Sequence, residues 1–195
     1  QVPQRNLGQR YDLYVRSIVM PLTKIQSQDA GGATSVAFEA LGTAHELLFT
    51  WINFDPTGGS DDTLSFQVTT SSYAYNAPIM SSYGRAYHKE DDSAANIATY
   101  DTAAQVNATG LQWIGTYVDQ DIADSAGSGE LRLFSHTNTS LVKNFISRSN
   151  TETQAASLDA HVAGYVNTTE AITKVRFKAL AGGTFTGTFT LYSYT

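Results

Sequence analysis

Leu64, Phe66 and Val68 alternate with Thr63, Ser65, Gln67 and Thr69, and a repeat of two residues is a strand repeat that no helix can serve. Such a stretch buries one face and turns the other outward, so the hydroxyl-rich face is expected in solvent. Near the end of the chain Val175, Phe177 and Ala179 alternate with Lys174, Arg176 and Lys178. Gly182 and Gly183 interrupt the run, and Phe185, Phe189 and Leu191 resume it against Thr184, Thr186, Thr188 and Thr190. The spacing predicts a closing β-hairpin with Phe177, Phe185 and Phe189 in the core.

Residues 45–54 are apolar on both faces, with Leu47, Phe49 and Trp51 against Leu48, Ile52 and Phe54. That pattern belongs at the middle of a sandwich or at a subunit contact. Further strands are expected over 13–20, 34–40, 111–118, 130–136, 141–147 and 160–166, separated by Gly, Pro, Asn, Asp or Ser. Only 94–106, with Ile97, Ala98, Ala103, Ala104 and Val106, offers a short helix. Short strands at this spacing predict an all-β fold, an antiparallel β-sandwich, rather than βαβ units.

A chain of 195 residues suits one domain. It shows no internal repeat, heptad or linker. Residues 1–10, polar and carrying Arg5 and Arg10 without apolar period, read as an extended arm reaching a neighbouring subunit, and 11–195 as a single sandwich domain. The start at Gln1 leaves processing, an excised domain and a longer precursor open.

Cysteine is absent, which removes disulfides, thiolate metal ligands and a cysteine nucleophile. Twelve basic residues, scattered among eighteen acidic ones, give a net charge of -6, which argues against nucleic acid as a partner. No apolar run long enough to span a bilayer occurs, so no membrane insertion is expected, and Gln1 to Asn6 lack the apolar core of a signal peptide.

Catalytic motifs are sparse. Ser128 has Gly127 and Gly129 adjacent, where a nucleophile elbow needs glycine two positions away on each side. Gly182 and Gly187 have phosphate-loop spacing, but Thr188 stands where lysine belongs. Asp119, Asp121 and Glu130 match three positions of a calcium loop, yet Ala123 replaces an oxygen ligand and Asp124 the turn glycine. The acidic run from Asp55 to Asp62 reads as a solvated turn. His45, His88, His136 and His161 form no ligand pair on a helical face, and nothing picks out a carboxylate pair for glycoside hydrolysis. Sequons at Asn107, Asn138 and Asn167 are within chance for so Ser/Thr-rich a chain. No catalytic residue, metal or cofactor is therefore expected. What remains is Tyr73, Tyr75, Tyr83 and Tyr87 among Ser71, Ser72, Asn76, Ser81 and Ser82. That mixture of rigid aromatic and small polar residues suits a recognition surface, and also a long loop packing its tyrosines on the sandwich.

The order of these segments carries a resemblance. Thr43 to Phe54, Asp62 to Ser72, Gly129-Glu130-Leu131-Arg132-Leu133-Phe134, Ile172-Thr173-Lys174-Val175-Arg176-Phe177 and Gly187-Thr188-Phe189-Thr190-Leu191-Tyr192 resemble a domain of tailed-bacteriophage virion proteins. The likeness runs over about residues 11–194 and lies in strand pattern and ending. It implies a jelly-roll-like β-sandwich in a tail, baseplate, head-fibre or decoration accessory protein, without enzymatic activity. It also implies a homotrimer placed in the virion and partnered by other virion proteins. If the protein meets a host-surface glycan, the segment holding Tyr73, Tyr75, Tyr83 and Tyr87 is where the residues themselves place the contact. The alternative is a carbohydrate-binding or adhesin-like module.

Overall fold

The alternation resolves into thirteen strands in a computed structural model that describes residues 21–57, 61–99, 104–153 and 155–194. They are β1 (Leu22–Asp29), β2 (Val36–Phe38), β3 (Glu46–Pro56), β4 (Asp62–Thr69), β5 (Ile79–Lys89), β6 (Ala95–Thr99) and β7 (Val106–Ala108). The chain continues through β8 (Gln112–Val118), β9 (Gly127–Phe134), β10 (Lys143–Thr153), β11 (Ala156–Val166), β12 (Lys174–Ala179) and β13 (Phe185–Tyr194). The strands pair antiparallel, and among the described residues no helix forms.

A nine-stranded sheet runs β1-β13-β3-β9-β10-β11-β5-β6, with β7 also on β5, and a four-stranded sheet runs β2-β12-β4-β8. The chain crosses repeatedly from one to the other, which makes a jelly-roll-like β-sandwich. Its core is aromatic. Phe177 of the small sheet lies 5.5 Å from Phe49 and 5.6 Å from Phe189, both of the large sheet. Phe38 and Trp51 complete the cluster at ring separations of 6.2 and 6.4 Å from Phe177. Aromatic pairs at these distances add to the free energy of burial itself.

Several expectations are corrected by the pairing. The closing segments are not a hairpin, because β12 belongs to the small sheet and β13 to the large one. The chain turns a corner at Gly182, whose φ is 91°, so Phe177 meets Phe189 across the core instead of beside it. The expected helix over 94–106 is β6 and β7, both paired to β5, with 100–103 outside the described residues. Its apolar residues are too unevenly spaced for one helical stripe, and the edge of β5 supplies hydrogen bonds instead.

Strand β4 does not turn its polar face to solvent. Thr63, Ser65 and Gln67 are buried along with Leu64, Phe66 and Val68. The Gln67 amide donates to the carbonyls of Ala77 and Gly110 in connecting segments, and the Ser65 hydroxyl to that of Lys178 in the paired strand β12. β3 is internal, between β13 and β9, as its apolar run predicts. Phe54, however, faces the core with Trp51, because the ladder shifts between Trp51 and Phe54 at Asn53, whose φ is 55°. Strand β13 is irregular at the same level: Gly187, φ 121°, backs so closely on Asn53 that a Cβ there would lie 2.7 Å from the Asn53 carbonyl oxygen. Two adjacent bulges thus keep both strands in step. The arm at 1–10 and the strand expected over 13–20 lie outside the described residues.

Candidate functional site

The two sheets differ in width, and the excess creates a cleft. β8 is the edge of the small sheet and crosses β10 and β11, so the inward face of β5 and β6 extends beyond it. A cleft of about 360 Å³ opens there, lined by Arg85, Tyr87 and Lys89 from β5, Asn96 from β6, Tyr117 from β8 and Thr153 from β10.

Period two explains the grouping. Arg85, Tyr87 and Lys89 stand at alternate positions of β5 and therefore share a face with the buried Ile79 and Tyr83. Opposite them on β11 lie the small or apolar Ala160, Leu158 and Ala156. Asn96 pairs with Tyr87, which brings the amide to the same side. The Arg85 guanidinium carbon is 5.9 Å from the centroid of the Tyr87 ring, within the range of a cation–π contact.

Of the hydroxyls on β10, Thr153 alone lines the cleft. β10 buries Ser147, Ser149, Thr151 and Thr153 on its inward face. Ser147 donates to the Glu130 carbonyl at 2.8 Å. The hydroxyls of Thr116, Ser149 and Thr153 are buried without a hydrogen-bond partner among the described residues.

The four tyrosines singled out from the sequence do not converge. Tyr73 is half-buried and packs against the core. Tyr75, with φ 58°, carries the Arg176 guanidinium 4.0 Å over its ring and does not line the cleft. Tyr83 is only 5% exposed, its hydroxyl donating to the Gly115 carbonyl at 2.8 Å, so its ring is not open to a ligand. Tyr87 alone lines the cleft. Sequence reasoning missed Arg85, Lys89, Asn96, Tyr117 and Thr153, although the Arg-x-Tyr-x-Lys alternation was there to be read as one strand face.

A second groove, of about 640 Å³, lies on the outward face of the large sheet beside Ile146, Arg148, His161 and Ala163. Arg148 and His161 both bond the Asp159 carboxylate, at 3.1 and 2.9 Å. Partial burial pushes that carboxyl up, but these two partners outweigh it and hold it below its usual value.

The acidic residues weighed as calcium ligands are engaged separately. The Asp119 carboxylate accepts the Asp121 amide at 2.9 Å, and Glu130 pairs with Arg132. Asp62, expected in a solvated turn, is buried and accepts the amides of Thr63 and Ala181. Among the described residues no group of three His, Cys, Asp or Glu side chains is placed to hold a metal ion. The chain matches no protein-family model, no curated protein and no solved structure.

Proposed function

We propose that the chain is a non-enzymatic structural component of a bacteriophage virion, a tail, baseplate, head-fibre or decoration accessory protein acting as a homotrimer. The observation that carries this reading is the surface that one copy leaves unfilled. Among the described residues β1 is held by β13 alone and keeps both of its faces largely open, with Leu22 and Ile25 exposed. The outward face of the large sheet adds Ile52, 58% exposed, and Ile97, 84% exposed. Aliphatic side chains spread along an open strand and a sheet face suit burial by further copies of the same chain. The strand order and ending described above add the virion context. Sedimentation at micromolar concentration should give a trimer, and labelling of purified particles should place the protein on them. A stable monomer of 21.1 kDa that is absent from particles overturns the reading.

The cleft favours a second role compatible with the first, contact with a host-surface glycan, as in an adhesin-like module. Tyr87 and Tyr117 present partly open rings from two sheets, with the Asn96 amide between strands. Aromatic faces with a few directed polar groups are what a sugar site is built from.

A further inference from the structure

We infer that a pocket on the outward face of the large sheet, where β3 begins and β9 and β13 end, binds a neutral sugar unit between Tyr194 and Phe134. It is separate from the cleft at β5, β6 and β8, which lies on the inward face, and does not rest on it.

Register builds the pocket. Leu47 of β3 pairs with Leu133 of β9 on one side and Ser193 of β13 on the other, and all three are buried. Successive side chains alternate between faces, so Glu46, Phe134 and Tyr194 turn outward together. The same register sets Glu46 directly between Tyr194 and Phe134. Adjacent strands lie about 4.8 Å apart, so the two rings rise from backbones roughly 10 Å apart, with the carboxylate between them. Thr43, His45 and Ser135 complete a pocket of about 490 Å³, within the ~300–1,000 Å³ of small-ligand sites. Ser135 has φ 51°, and its amide donates to the His45 carbonyl at 2.6 Å. That bond holds the segment before β3 against the end of β9.

The chemistry of Glu46 selects the ligand. Arg132 holds one carboxylate oxygen, Oε1, at 3.3 Å, and the other accepts no hydrogen bond from the described residues. Aromatic rings around a carboxylate would also suit an organic cation. Here, however, Arg132 bonds both Glu46 and Glu130 and lies 5.9 Å from the Tyr194 ring centroid, so it already supplies the positive charge such a ligand would bring. A wholly apolar ring fits no better, because it would strip water from a carboxylate oxygen and give no donor in return. What remains is a fixed acceptor between two aromatic walls, with the exposed His45 imidazole beside it. A sugar ring meets both demands: its C–H face packs on an aromatic ring while its hydroxyls donate to the carboxylate.

The test is an NMR titration of the whole chain, followed on amide signals, with methyl β-D-galactoside, methyl β-D-glucoside and tetramethylammonium in parallel. At least one glycoside is expected to shift signals of residues 43–46, 134–135 and 192–194, with affinity at least about tenfold above the cation, equivalent to ~1.4 kcal/mol. Tyr194→Ala should weaken that glycoside by about tenfold while the signals of Leu47 and Leu133 stay in place. His45→Ala, at an exposed position, should weaken it as well. Unchanged affinity in both variants overturns the pocket. Tetramethylammonium binding as tightly as the glycosides overturns the sugar and leaves a cation site. Shifts confined to β5, β6 and β8 overturn this inference and leave the cleft reading in place, and no shift with either glycoside overturns it outright.

Discussion

The hydroxyl of Tyr83 in β5 donates to the carbonyl of Gly115 in β8 at 2.8 Å, and this bond, with that of Ser81 to Gln112, ties β5 of the large sheet to the edge of the small one. It stands next to the cleft, because Tyr83 shares its strand face with Arg85 and Tyr87. Tyr83→Phe keeps the ring and its edge-to-face contact with Trp113 at 6.5 Å but leaves the carbonyl without this donor. The expected cost is about 1–3 kcal/mol, read as a lower denaturation midpoint with an unchanged slope. No change in midpoint would mean that water replaces the bond and that the β8 edge is not fixed by it.

Gly129 marks where three strands approach most closely. It pairs with Trp51 of β3 on one side and Ser149 of β10 on the other, and a Cβ would lie 2.6 Å from Cζ2 of Trp51 and 2.5 Å from the Arg148 carbonyl oxygen. Backbone cannot yield as a side-chain tip can. Gly129→Ala is expected to cost about 1–3 kcal/mol through overpacking, measurable as a drop in Tm, and an unaltered Tm would show that the indole has room to move.

Phe189 is buried between Phe177 at 5.6 Å and Phe185 at 5.7 Å. Phe189→Ala should therefore cost about 3–5 kcal/mol by opening a cavity. The neighbouring Thr188 is exposed, so Thr188→Ala serves as the control and should stay within about 0.5 kcal/mol. If the two variants melt alike, the register of β13 is wrong by one residue, since such a slip exchanges the two faces.

Strand existence was legible in the sequence wherever apolar residues alternate, as in β4, β12 and β13, because that period leaves no other regular structure. The environment of the second face was not. Gln67 is buried on connecting segments and Ser65 on the neighbouring β12, and β10 buries Ser147, Ser149, Thr151 and Thr153 while exposing Ile146, so hydroxyls mark neither face reliably. Phe54 points inward only because of the bulge at Asn53, which depends on a partner strand more than a hundred residues away. The tyrosine segment misled for the same reason: proximity in sequence suggested one patch, whereas the sheet carries Tyr83 inward and leaves Tyr75 on Arg176. The cleft was invisible because it arises from the unequal widths of two sheets.

Acid should loosen the connection that leads into β12. The Glu170 carboxylate accepts the hydroxyls of Ser72 and Thr70 and the amide of Ser72, and these bonds, the Ser72 hydroxyl first, lower its pKa to about 2. A carboxyl with a lowered folded pKa contributes stability that is complete above its ordinary value of 4.5 and is lost as pH falls from there toward about 2. Glu170→Gln should remove that acid-dependent loss, so a variant whose Tm falls with acid as steeply as the parent would assign the loss to other carboxyls.

A second pH window should open nearer neutrality, through His136. The ring is buried, and its Nε2 donates to the Gly42 carbonyl at 3.1 Å while Nδ1 has no partner among the described residues. Burial lowers the pKa below 6.5, and the nearby carbonyls of Gly42 and Ala44 oppose it only in part. The folded chain thus resists the proton that an unfolded histidine takes up readily. Its stability is complete above about pH 6.5 and declines as pH falls through the lowered folded value, below which both states are protonated and the decline ends. Denaturant midpoints measured at intervals between about pH 7.5 and pH 5 should fall for the parent, and the same series on His136→Gln should be flatter even though that variant starts from lower stability. Parallel curves for the two would show that His136 takes its proton in the fold as easily as outside it, which its burial beside an unpartnered nitrogen argues against.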